Sequence, residues 1–108
     1  MRAWRRPASD RVTDELVAYL RTRDGGCVLA KVDPDHSCRD QWGTPHPWND
    51  VRRLSVEHVK DQPRLGRRAP SDRAHTLLLC HGANVGVPSK TQRIAFREYL
   101  RVVEGVAA

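Results

Sequence analysis

The stretch LSVEHV at residues 54–59 alternates apolar and polar side chains and ends with an acid beside a histidine. Alternation with a period of two is typical of a strand with one buried face, so we predict a strand over about residues 53–58. The stretch HTLLLCHGAN at residues 75–84 predicts a second strand over about 76–79, then a polar loop and a helix. Two strands and a helix would therefore bring together an acid, a histidine and an amide.

The bulk composition favours a small nucleic-acid-binding protein. The chain has 108 residues, of which 39% are hydrophobic, and a formal net charge of +6. This length suits one domain with a thin core, which a bound metal would help to hold together. A domain this basic is expected to meet a polyanion, although a positive surface also serves solubility alone. No apolar run could span a membrane and no hydrophobic segment follows the charged start, so we expect a cytoplasmic protein without membrane contact.

A helix is predicted near each end of the chain. Ser9 or Asp10 is expected to cap the first, which runs to about Arg23 and stops at residues 24–26. Ser89 is expected to cap the last, over about residues 89–104. Apolar side chains at helical spacing predict one buried face on each helix. These positions are Val12, Leu16 and Leu20 in the first helix and Phe96, Leu100 and Val103 in the last.

The remaining segments are predicted to be an arm and loops. Residues 1–8 form a basic arm, so that residues 9–108 make a single domain. Glycine and proline make residues 27–50 irregular, and Trp42 and Trp48 are expected to cover the core from this loop. The predicted fold class is therefore α+β, with a two-stranded antiparallel hairpin, a helix after it, an N-terminal helix and a long irregular loop.

Basic side chains gather in the loop before the second strand and along the last helix. Such a stripe is usually a solvated helix face. Here it directly follows the candidate site, so contact with phosphates is as well supported as a solvated face. Contacts to the backbone position a duplex without reading its bases, so we expect little sequence specificity. The candidate DNA-binding residues are Arg64, Arg67, Arg68, Lys90, Arg93, Arg97 and Arg101.

The residue types at the two strands suit phosphodiester hydrolysis. The reaction needs a base that deprotonates water, a cation that offsets phosphate charge and help for the leaving oxygen. The imidazole of His58 suits the first role, and Glu57 and Asn84 offer the oxygen ligands that Mg²⁺ prefers. Glu57 and His58 would leave an ideal strand on opposite faces, so both serve one site only if the chain bends there. Each residue alone has an ordinary structural interpretation, and only their combination and order favour a site.

In this order the residues resemble the HNH endonucleases, or ββα-metal nucleases, and most closely the small HNH proteins encoded by bacteriophages. The resemblance covers about residues 24–104 and implies a ββα-metal core. It implies that His58 is the general base and that Glu57 and Asn84 bind the metal. His75 takes the middle catalytic position, where the family usually has an Asn that shapes the loop. The departures at Glu57 and His75 leave the metal open: Mg²⁺ or Mn²⁺ first, with Zn²⁺ or Ni²⁺ as alternatives.

Many members of that family also hold a structural zinc with two Cys-x-x-Cys knuckles, and here that pattern is broken. Cys27, Cys38 and Cys80 supply three ligands of the four that tetrahedral zinc needs. His81 is the candidate fourth ligand, and His36 is the alternative, although it stands tightly beside Cys38. Absence of zinc, with buried cysteines or a Cys27–Cys38 disulfide, also remains open.

The sequence thus predicts a metal-dependent endonuclease, a hydrolase that acts on double-stranded DNA. Two other interpretations stay open. The first is a non-catalytic nucleic-acid-binding module on the same scaffold. The second is a nuclease component that acts only with terminase proteins inside a phage DNA-packaging assembly, in the host cytoplasm.

Overall fold

The computed structural model describes residues 11–59, 70–85 and 89–105, without the side chains of residues 84 and 85. Within these residues, four helices and two strands follow one another as α1 (Asp14–Asp24), α2 (Val28–Val32), β1 (Leu54–His58), β2 (Thr76–Cys80), α3 (His81–Val85) and α4 (Lys90–Glu104). A 3₁₀ turn at Val51–Arg53 leads into β1. The described chain is therefore a mixed helix-and-sheet protein, which agrees with the predicted α+β class.

The two strands form an antiparallel sheet in the order β1–β2. Leu54 lies opposite Cys80, Glu57 opposite Leu77 and His58 opposite Thr76. The predicted strand positions are therefore confirmed within one residue. The amide of Val59 donates to the carbonyl oxygen of His75 at 2.7 Å, so the pairing extends one step beyond the last strand residues.

Strand β2 is the centre of the core, because all five of its residues are buried. Leu77 and Leu79 join the larger hydrophobic cluster, which includes Phe96 and Leu100 of α4. Leu78 leaves the strand on the opposite face and packs with Leu16 and Leu20 of α1 in a smaller cluster. A continuous apolar run is what a strand covered on both faces requires. The three leucines at residues 77–79 therefore connect the cluster on α1 with the cluster on α4.

Side chains bond to the edge of β2 that faces away from β1. The guanidinium of Arg23 donates to the carbonyl oxygen of Thr76 at 2.7 Å. The amide of Leu78 donates to the carboxylate of Asp24 at 3.0 Å, and the amide of Cys80 donates to Cys27 Sγ at 3.3 Å. Alternate backbone groups of a strand point to the same edge, so residues 23–27 stand where a third strand would pair.

Helix α1 begins later than the sequence suggested. Its N-cap is Thr13, whose hydroxyl accepts from the amide of Leu16 at 3.1 Å, so the prediction of a cap at Ser9 or Asp10 was wrong. Acids at positions 14 and 15 then occupy the first turn, where the helix dipole favours negative charge. Val12 consequently precedes the helix and is 43% exposed, which overturns its predicted burial. The predicted arm at residues 1–8 lies outside the described residues.

Helix α4 begins as predicted. The hydroxyl of Ser89 accepts from the amide of Gln92, and the Gln92 side chain accepts from the amide of Ser89, which makes a capping box. Phe96 and Leu100 are buried, but Val103 is 36% exposed and does not continue the buried face. The face instead continues at Glu104, about one helical turn after Leu100. The Glu104 carboxylate accepts hydrogen bonds from Tyr19 and Arg23 of α1.

The segment 27–50 is more ordered than predicted, because it contains α2. Trp42 is 79% exposed, so its predicted role in covering the core was wrong. It lies in a turn where the Asp40 carboxylate accepts hydrogen bonds from the amides of Trp42 and Thr44. Trp48 is partly exposed but lies against Gly26, where an added Cβ would come within 2.2 Å of its ring. A side chain at position 26 would therefore displace the Trp48 ring.

Replacing Arg23 with methionine is expected to destabilise the fold by about 3–5 kcal/mol, because it would leave a buried carboxylate without its cation. The Arg23 side chain is 6% exposed and bonds to Asp24, which is fully buried. The measurement is the midpoint of chemical unfolding. Replacement of the exposed Arg21 on the same helix serves as the control and is expected to shift stability by no more than about 0.5 kcal/mol. Equal midpoints for the two variants would contradict a structural role for the Arg23–Asp24 pair.

Candidate metal centre and catalytic site

Three cysteines and one histidine converge beside the end of β2. The sulfur atoms of Cys27, Cys38 and Cys80 and a ring nitrogen of His36 all lie within 4.8 Å of one another. His36 Nε2 is 3.2 Å from Cys80 Sγ. All three cysteines are buried, and His36 is partly buried. These four side chains could hold a metal ion.

Local structure explains how each ligand reaches this position. The left-handed Gly25 (φ 65°) ends α1 and turns the chain so that Cys27 becomes the N-cap of α2. Cys80 is the last residue of β2, and the amide of Ala83 donates to its sulfur at 3.4 Å. The amide of Gly82 donates to the carbonyl oxygen of Arg39 at 3.0 Å, which attaches the loop that carries His36 and Cys38 to α3.

The donor set fits a soft or borderline cation. Burial raises the pKa of the Cys27 and Cys38 thiols, which disfavours three neighbouring thiolates unless a cation compensates their charge. Burial lowers the pKa of His36, which favours the neutral imidazole that binds metals. Three sulfurs and one nitrogen in a closed, buried group match a structural zinc site better than a magnesium or calcium site.

The sequence correctly identified the three cysteines as one group but preferred the other histidine. His81 begins α3, and among the described residues it is His36 that groups with the cysteines. Alternate residues of a non-helical segment can face the same side, so the two-residue spacing of His36 and Cys38 allows both to bind one ion. Only the path of the loop past β2, which sequence spacing does not show, distinguishes these two histidines.

The loop end of the hairpin brings Glu57, His58 and His75 together from two separate segments. His58 pairs with Thr76 in regular register, and Val59 bonds to His75 immediately afterwards. The bend expected after Glu57 is therefore absent. Since successive strand residues point to opposite faces, Glu57 lies on the face of Leu77 and His58 on the face of Thr76. The structure brings these residues to one end of the hairpin but not to one face.

The turn that precedes β2 contacts both histidines. His58 Nε2 lies 2.7 Å from the hydroxyl oxygen of the buried Ser71. His75 Nδ1 lies 2.7 Å from a carboxylate oxygen of Asp72. The turn is itself held by the hydroxyl of Thr76, which donates to the carbonyl oxygen of Asp72 at 2.6 Å. Both imidazoles are thus oriented by neighbouring residues of a single turn.

Glu57 is the acid of this hairpin end. Its side chain is half-buried, and burial raises the pKa of its carboxyl group. A nearby cation would offset this cost by stabilising the carboxylate. Asn84, the second predicted metal ligand, belongs to α3, which lies against both strands, but its side chain is outside the described residues.

The predicted DNA-binding residues are described in part. Arg64, Arg67 and Arg68 lie outside the described residues. On α4, Lys90, Arg93 and Arg101 are exposed and Arg97 is half-buried. Arg101 forms an ion pair with Glu98, which reduces the positive charge at that end of the stripe. The first three turns of α4 therefore carry most of its exposed positive charge.

No family model, curated protein or solved structure matches the chain. Within residues 11–59, 70–85 and 89–105, no helix is both long enough and apolar enough to cross a membrane.

Proposed function

We propose that the chain is a divalent-metal-dependent DNA endonuclease of the ββα-metal, or HNH, type. The observation that carries this proposal is the hydrogen bond of 2.7 Å between the amide of Val59 and the carbonyl oxygen of His75. Through it, an acid and two histidines from segments about 17 residues apart meet at one end of a hairpin, and a helix with a candidate amide ligand follows directly.

In this proposal His58 accepts the proton of the attacking water, and Glu57 and Asn84 hold the cation. A divalent cation bound there would offset the negative charge that develops on the phosphate. His58 belongs to the last strand pair, so its imidazole lies at the loop end of the hairpin, and in this proposal the phosphate binds there. Its contact with Ser71 must loosen or rotate before Nε2 takes a proton.

We also propose that the group of Cys27, His36, Cys38 and Cys80 holds zinc and has a structural role. The ion would join α2, the loop after it and the end of β2, which are separate in sequence. Such a link suits a small domain with a thin core, because metal binding then contributes directly to folding.

Positive charge supports DNA as the substrate. The chain carries a formal net charge of +6, and Lys90 and Arg93 are exposed on the helix that follows the candidate site. Basic side chains at that position would contact phosphates on either side of the bond to be cut. We therefore expect binding that weakens with salt and depends little on base sequence.

A non-catalytic nucleic-acid-binding module is the second candidate, and the hairpin geometry favours it. Glu57 and His58 leave β1 on opposite faces, and Ser71 engages Nε2 of His58. If this arrangement persists on DNA, the scaffold binds without cutting.

A plasmid assay tests the proposed function. Purified, zinc-loaded protein is incubated with supercoiled plasmid in Mg²⁺, in Mn²⁺ or without an added divalent cation. A chelator is unsuitable as the first control, because it would also remove the structural metal. Nicked or linear products that need an added cation support the endonuclease. A gel shift without any product, in every cation, would overturn it in favour of the binding module.

A further inference from the structure

The Asp72–His75 pair defines which nitrogen of His75 carries a proton. A carboxylate oxygen lies 2.7 Å from Nδ1, and an ionised carboxylate only accepts hydrogen bonds. Nδ1 therefore holds the proton of the neutral ring, and Nε2 holds the lone pair. A carboxylate on one nitrogen is the usual companion of a histidine that binds a metal through the other.

The backbone around His75 is fixed on both sides. Its amide donates to the carbonyl oxygen of Asp72 at 3.3 Å, and its carbonyl oxygen accepts from the amide of Val59 at 2.7 Å. The ring is mostly buried, with 20% of the side chain exposed. An imidazole held at Nδ1 and at both backbone groups has little freedom left, as a metal ligand requires.

The register places His75 near Glu57. Glu57 lies opposite Leu77, and His75 is two residues before Leu77, so Glu57 and His75 are diagonal neighbours on one face. Such diagonal positions lie about 7–8 Å apart, within reach of long and aromatic side chains. His58 belongs to the other face. Helix α3, which carries Asn84, lies against both strands, and its Ala83 belongs to the same larger cluster as Leu77.

We propose that His75 binds the active-site cation through Nε2, together with Glu57, and that Asp72 is its positioning residue. This inference rests on the proposed function, since it concerns the same cation. His75 would give the site a nitrogen ligand at the position where the HNH endonucleases usually have an Asn that only shapes the loop. Imidazole suits Ni²⁺ and Zn²⁺ better than Mg²⁺, which prefers oxygen. The site should therefore bind Ni²⁺ more tightly than Mg²⁺.

The experiment measures binding of Ni²⁺ and of Mg²⁺ to the zinc-loaded full chain by calorimetry, without DNA. His75→Asn removes the nitrogen ligand but keeps a side chain that can still hydrogen-bond in the loop. It is expected to weaken Ni²⁺ binding at least 10-fold and Mg²⁺ binding less than 3-fold, and Asp72→Asn to weaken Ni²⁺ binding about 10-fold. His81→Asn is the matched control and should leave both affinities unchanged. Unchanged Ni²⁺ affinity in folded His75→Asn would overturn the inference.

Two further readouts separate this inference from the nuclease proposal. Nitrogen chemical shifts of the His75 ring should show a proton on Nδ1 in the wild type and a mixture of tautomers in Asp72→Asn; the opposite tautomer in the wild type would contradict it. If the wild type binds Ni²⁺ through His75 yet leaves plasmid intact, the nuclease proposal fails and His75 remains a metal ligand. If the wild type cuts plasmid and His75→Asn binds Ni²⁺ normally, the nuclease proposal stands and His75 is not a ligand.

Discussion

Replacing Cys80 with serine is expected to unfold the domain. Structural zinc contributes about 10–16 kcal/mol of apparent binding free energy in zinc-finger peptides, whereas whole domains are stable by only about 5–15 kcal/mol. Cys80 is fully buried at the end of β2, and its sulfur lies among the other three candidate ligands. Serine keeps the size of the side chain but removes the sulfur ligand, so the loss reports on the metal more than on packing.

Circular dichroism and the zinc content of the purified chain measure this effect. The wild type should hold one zinc ion per chain and lose its folded signal when a strong chelator is added. His36→Ala should also lose zinc, whereas His81→Ala should keep it, which identifies the fourth ligand. A zinc-free wild type with unchanged stability would show that the four side chains are merely packed together.

Replacing His58 with alanine is expected to reduce plasmid cleavage about 10²–10⁴-fold, the usual contribution of a positioned general base. DNA binding, measured by gel shift, should change little, because His58 would act on water rather than hold the backbone. Ser71→Ala is the informative companion. It removes the contact at Nε2 without removing the imidazole, so cleavage should persist or rise. If His58→Ala cuts as fast as the wild type, another group is the base.

The elements with strong local signals were the ones that the sequence predicted well. The period-two pattern located β1, the short apolar run at residues 76–79 located β2, and Ser89 located the start of α4. Helix α2 was missed, because five residues between a glycine pair and a proline are too short to show a helical period. The start of α1 was misplaced, since Ser9, Asp10 and Thr13 are all good caps and only the acids after Thr13 distinguish them.

The candidate site was predictable in its residue types but not in its geometry. The three cysteines and the residues at the ends of the two strands were identifiable from order and spacing. The face that each side chain takes depends on whether pairing stays regular through Val59, and a bond between residues 59 and 75 decides that. The choice between His36 and His81 depends in the same way on a tertiary contact, that of Gly82 with Arg39.

The side chains that occupy the outer edge of β2 also block self-association of the protein through that edge. An apolar strand with unpaired backbone groups is a template on which another copy can add a strand. Arg23, Asp24 and Cys27 cover that edge without a third strand. Loss of the metal or of the Arg23–Asp24 pair would expose it, with leucines 77–79 alongside. Variants that damage either feature should therefore not simply unfold but self-associate through β2, and aggregation should accompany loss of zinc.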